Sequence, residues 1–164
     1  MMRLVYWPDE RLMKRCVEVA KVTSEILELI KQMRAVADRD QGIGLAANQV
    51  GLDMRVCLVQ FYPGESLTAL INPVIVNRSK RKILFSEGCL SFPGLMVPVT
   101  RHYFVDVEYL DEQGELCVER LDGPGAVCLQ HELDHLDGIT FLRRLKPRQR
   151  KRALGSWRHP FDKG

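Results

Sequence analysis

The chain has 164 residues, a formal net charge of +3, and 46% hydrophobic and 27% charged residues. That length predicts one domain with its own core and one active site, and the balance excludes disorder and fibrous repeats. No apolar run approaches the roughly 18 residues that cross a bilayer, and MMRLVYWPDERLMKR lacks an apolar stretch ending in small residues, so a cytoplasmic protein away from membranes is expected.

Pro8, Asp9 and Glu10 open a short turn or helix, and Ser24 starts a clear helix. Ile26, Leu27, Ile30, Met33 and Val36 recur there at helical steps, so it runs to about Asp40 and packs one apolar stripe onto a sheet. A glycine-rich loop, GIGLAANQVG, follows, then a strand over Val56 to Phe61. Further strands are expected at Ala69 to Val76, Lys82 to Phe85, Tyr103 to Leu110 and Leu116 to Leu121. Turns at Pro63 with Gly64 and at Asp111 to Gly114 connect them as hairpins, which predicts mostly antiparallel sheets. Asp122 to Gly125 reads as a helix start, and the helix continues to about Leu136 before Gly138 stops it. The expected fold is therefore α+β, with mostly antiparallel β-sheets wrapped around a central helix and no repeat, linker or second domain.

That central helix carries QHELDHLDG, an HExxH motif. His131 and His135 stand four residues apart, a rise of roughly 6 Å, so both imidazoles can grip one ion at about 2.1 Å. Glu132 projects beside the pair, where it suits a base acting on metal-bound water. Two histidines leave a catalytic metal one protein ligand short. Cys16, Cys57, Cys89, Cys117 and Cys128 form an odd set without CxxC spacing, which argues for reduced thiols and against a zinc ribbon. Cys128 shares the histidines' helix face but is short and a turn farther from His135, while Cys89 stands in EGCLSFPG on irregular backbone. No glutamate follows Glu132 to serve as the third ligand of a conventional peptidase. Asp134 and Asp137 read as hydrogen-bond partners of an imidazole or caps of nearby backbone. A non-catalytic structural metal is the alternative from another class, and it calls for four protein ligands and no Glu132.

Positive charge crowds into the tail, where Arg143, Arg144, Lys146, Arg148, Arg150, Lys151, Arg152 and Arg158 fall in the last 22 residues. They read either as a solvated helix face or frayed end, or as a dock for a polyanion such as ribosomal RNA.

Taken together, GIGLAANQ, EGCLS and QHELDHL resemble, in order and spacing, three motifs of the peptide deformylases, and PDERL and INP extend the likeness to about Leu145. The resemblance implies a catalytic domain over residues 1–145 and a basic tail over 146–164. It implies an enzyme that removes the formyl group from N-formylmethionyl nascent peptides and releases formate. Cys89, His131 and His135 would bind one divalent metal, natively Fe2+ and replaceable by Zn2+, Ni2+ or Co2+, with water or hydroxide as the fourth ligand. Glu132 would be the general acid/base, with the side-chain amide of Gln49 and the backbone N–H of Leu90 stabilising the oxyanion. Gln49 reads otherwise as a turn cap, and Gly42 and Gly44 as chain-reversal residues. Gly44 and Gly88 offer bare backbone for a peptide strand, and Ile43, Phe85, Val127 and Cys128 a methionine pocket, though such residues are also ordinary core. Two departures bear on substrate details. Where many bacterial members carry an arginine shortly after EGCLSFP, this chain reads Gly94, Leu95 and Met96, the next arginine being Arg101; Pro124 and Gly125 replace larger apolar residues, predicting a wider pocket rim. The partners expected are the formylated peptides and the ribosome, and the chain is expected to be a monomer.

Overall fold

The computed structural model describes residues 1–162. Seven strands and three α-helices follow in chain order. They are α1 (Ser24–Arg39), β1 (Gly44–Ala46), β2 (Val56–Val59), β3 (Thr68–Arg78), β4 (Lys82–Glu87) and β5 (Val97–His102). After them come β6 (Phe104–Leu110), β7 (Leu116–Asp122), α2 (Gly123–Leu136) and α3 (Pro147–Ser156). A five-stranded sheet has the order β1-β2-β3-β6-β7, a two-stranded one pairs β4 with β5, and each pairing is antiparallel.

Both faces of the large sheet are covered, and β2 shows how. Its four residues, VCLV, are all buried. Successive strand side chains point to opposite faces, so Val56 and Leu58 pack with Ile30, Met33 and Val36 of α1, while Cys57 and Val59 pack with Ala126, Leu129 and Leu133 of α2. α2 also touches β5, so it lies between the two sheets, as the α+β expectation required. Twelve of α2's buried residues run without a break from Gly125 to Leu136, a helix buried all round rather than an amphipathic one.

Three local expectations change. The glycine-rich segment is partly a strand, because Gly44, Leu45 and Ala46 pair with Val59, Leu58 and Cys57 before a single 3-10 turn at Ala47–Val50. β5 carried no strand signal because Pro98 interrupts it; the two-stranded sheet tolerates a residue without an N–H donor. Asp122 precedes α2 without a side-chain cap, and Pro124 in the first turn removes one of the orphan donors instead. The basic tail is a helix with a solvated basic face, not a frayed end: Arg148, Lys151 and Arg152 of α3 are exposed, while Ala153, Leu154 and Trp157 join a third apolar cluster with Phe92, Phe141 and Leu142. No helix of the described residues is long and apolar enough to cross a membrane.

Candidate metal centre

α2 presents His131 and His135 toward the turn that follows β4, and that turn supplies Cys89. The Nε2 atoms of the two imidazoles lie 3.1 Å apart, and Cys89 Sγ lies 3.3 Å from His135 Nε2. All three donor atoms fall within 4.8 Å of one another, the one such group found among the described residues. Ligands at about 2.1–2.3 Å around a tetrahedral ion sit roughly 3.4–3.6 Å apart, so this thiol and these two ring nitrogens fit a divalent transition metal with little adjustment.

Around these three atoms runs a set of polar supports. Glu87, the last residue of β4, accepts from His131 Nδ1 at 2.8 Å, which turns Nε2 toward the common point. Arg101 on β5 holds that carboxylate with two hydrogen bonds, Nε to Oε2 at 2.8 Å and Nη2 to Oε1 at 2.9 Å. Burial works against the charge on Glu87, but Arg101 and His131 outweigh it and keep the carboxyl below its usual range. Arg101 Nη1 also donates to Asp134 at 2.6 Å, and Asp134 accepts two further bonds from Arg144. His135 is fully buried, and burial followed by the neighbouring His131 and Arg101 lowers its pKa well below the ordinary value, which keeps it neutral and able to ligate.

The candidate acid/base is buried as well. Glu132 is 4% exposed, and its Oε2 has no hydrogen-bond partner among the described residues. Burial, opposed by His131 and reinforced by Glu87, raises its pKa to about 7. Gln49 does two things at once: its Oε1 accepts from the N–H of Ala46 at 2.9 Å, the turn-capping role, and its Nε2 faces Ser91 Oγ at 3.2 Å and Cys89 Sγ at 3.5 Å. The backbone N–H of Leu90 donates to no group of the described residues.

A cavity of about 640 Å³ opens over these groups. It is lined by Ile43, Gly44, Gln49, Phe85, Gly88, Cys89, Leu90, Val127, Cys128, His131 and Glu132, so every site residue expected from the sequence meets it except His135, which lies behind. Cys128 lines the cavity and falls outside the group of Cys89, His131 and His135: its Sγ donates to the carbonyl of Ile43 at 3.3 Å, and burial keeps the thiol protonated. Gly44 is required by close approach, since a Cβ there would fall 2.6 Å from Glu132 Oε1 and 2.8 Å from Cys128 Sγ.

Arg101, the next arginine after the second motif, is 5% exposed and does not line the cavity; it is held by Glu87 and Asp134. Two readings are corrected. Asp134 and Asp137 touch no imidazole, because they pair with Arg101 and Arg144, and with Arg55. Pro124 does line the cavity, but Gly125 does not widen it, since a Cβ at 125 would overlap the carbonyl oxygen of Phe61. Glu87 and Ser91 went unassigned. Glu87 had a signal, an acid two residues before Cys89, but only the pairing of strands directs it to His131; Ser91 had none.

The polypeptide deformylase family model matches residues 1–151. A peptide deformylase of Aquifex aeolicus is 43% identical over 155 residues, covering 92% of this chain and 91% of that protein. One from Neisseria meningitidis is 42% identical over 146 residues, covering 88% and 87%. Among solved structures, peptide deformylase from Ehrlichia chaffeensis superposes with a TM-score of 0.88 at 36% identity, covering 94% of this chain and 93% of that one. The enzyme of Synechococcus elongatus, solved with actinonin, also reaches 0.88, at 34% identity over 94% and 86%.

Proposed function

This chain belongs to the polypeptide deformylase family, metalloenzymes that take the N-formyl group off nascent peptides, and we propose that Cys89, His131 and His135 hold its metal, Fe2+ in the cell. The observation that carries this reading is the convergence of one thiol and two imidazole nitrogens within 4.8 Å, on a cavity that also receives Glu132. Zn2+, Ni2+ and Co2+ suit the same mixed sulfur and nitrogen set.

When bound, such an ion supplies Lewis acidity that polarises the formyl carbonyl and acidifies water. The protein does the rest. An extended peptide lies along the bare backbone at Gly44 and Gly88, with its methionine side chain among Ile43, Phe85, Val127 and Cys128. Gln49 Nε2 and the Leu90 N–H donate to the formyl oxygen as negative charge collects there. With a pKa of about 7, Glu132 takes a proton from attacking water and returns it to the leaving amine, the two transfers needing an affinity between those of acid and base. Formate and a free amino terminus result.

Formate release from a formylated tripeptide, with anaerobically prepared protein and metal analysis, tests the assignment. Glu132→Gln is expected to retain the ion and lose about 100-fold or more in kcat; near-normal turnover would remove Glu132 from its role. We also assign ribosome docking to the basic tail of a cytoplasmic monomer. Ribosome affinity and its salt slope are expected to fall when Arg148, Lys151 and Arg152 are changed to Gln; an unaltered slope contradicts that.

A further inference from the structure

The family match ends at residue 151, yet the chain beyond it returns to the cavity. Trp157, just after α3, donates its indole N–H to the carbonyl of Pro93 at 2.9 Å, and its ring centroid lies 5.4 Å from that of Phe92. Phe92 in turn meets Trp7 at 5.5 Å and Phe141 at 5.0 Å, so this anchor is set in the core behind the EGCLS turn. Past the anchor, His159 and Phe161 both reach Tyr6, at centroid distances of 6.2 and 5.3 Å. The N–H of Phe161 donates to His159 Nδ1 at 3.2 Å, which folds the segment upon itself. Pro160, between them, lines the cavity beside Leu4, Tyr6 and Pro93.

The cavity thus has two walls of different origin. Phe85, Val127 and Cys128 come from β4 and α2; Leu4, Tyr6, Pro93 and Pro160 come from the N-terminal segment, the turn after Cys89 and the tail. In an extended peptide, successive side chains point to opposite sides. If the first residue's side chain enters the pocket of the first wall, the second residue's faces the other one. That wall offers proline rings, a leucine and a phenol, surfaces that favour apolar and aromatic groups.

We propose that the segment Trp157–Phe161 is a specificity-determining wall of the substrate groove, taking an apolar or aromatic side chain at the second residue of the formylated peptide. The proposal rests on the deformylase reading above. It makes the tail part of substrate selection as well as a carrier of charge.

Steady-state formate release from formyl-Met-Phe-Ala and formyl-Met-Gly-Ala tests it, using the full metal-loaded chain and one that stops after Ser156. Truncation is expected to lower the ratio of kcat/KM for the phenylalanine peptide over the glycine peptide by about tenfold, the loss falling on KM. Because losing Trp157 also disturbs the anchor, a second variant, Pro160→Gly with Phe161→Ala, keeps Trp157 and is expected to move the ratio the same way by about threefold. An unchanged ratio in that second variant overturns the proposal. If the unaltered enzyme releases no formate from either peptide, the deformylase reading falls and takes the proposal with it; full turnover without discrimination sinks the proposal alone.

Discussion

Arg101→Met is the change that bears hardest on how the metal centre is supported. The guanidinium makes three charged hydrogen bonds, two to Glu87 and one to Asp134, and its side chain is 4% exposed. Methionine fills similar volume but leaves two buried carboxylates short of a cation. Asp134 keeps a two-pronged hold on Arg144, whereas Glu87 keeps only His131. Removing one partner of a buried ion pair costs about 3–5 kcal/mol. For a chain of this length that lowers the unfolding midpoint by roughly 6–20 °C. A second effect is local, because Glu87 orients His131 and loss of such a support weakens metal binding by about 10- to 100-fold. Thermal unfolding under chelating conditions reads the first effect, and competition with a metal chelator at a temperature where the variant is folded reads the second. Arg144→Met is the milder comparison, since its side chain is 47% exposed and Asp134 keeps its bond from Arg101, so a smaller loss than that of Arg101→Met is expected. Should Arg101→Met unfold within 2 °C of the parent and hold its metal equally well, the account of Glu87 and Arg101 as supports of His131 is wrong.

Cys89→Ala is expected to lose the ion while keeping the fold, and Cys128→Ala to keep the ion; metal analysis after dialysis showing the reverse would exchange their roles. Gly44→Ala is expected to displace Glu132 and Cys128, cutting kcat by about 100-fold with normal metal content, and a variant with parental kcat would show that Glu132 tolerates the shift. Gly125→Ala forces backbone against the Phe61 carbonyl and is expected to cost about 1–3 kcal/mol in urea unfolding; a parental midpoint would mean that α2 can slide away from the end of β2.

Much of the site was legible because it is local. HExxH on a helix sets two imidazoles on one side with a carboxylate beside them, whatever surrounds that helix. EGCLS announced a thiol displayed on irregular backbone, and the apolar spacing in α1 and the hairpin turns were enough to predict a mostly antiparallel α+β fold. What escaped was non-local or contradicted by its own letters. Pro98 hid β5, and the strand identity of Gly44 to Ala46 depended on a partner eleven to fifteen residues away.

From the letters alone came the proposed metal-binding pair and its candidate acid/base neighbour, which lie within a turn or so of one helix, and the likeness to the family, which rests on three short motifs read in order along the chain. Tertiary structure decided which cysteine faces the histidines, which acid steers His131 and where Arg101 points. Cys128 and Cys89 are separated by where α2 and the turn after β4 come to rest, and the β4–β5 pairing sets Arg101 beside Glu87. Such choices belong to side chains meeting across 14 to 46 residues of sequence, and no local spacing encodes a direction that only packing and buried charge can impose.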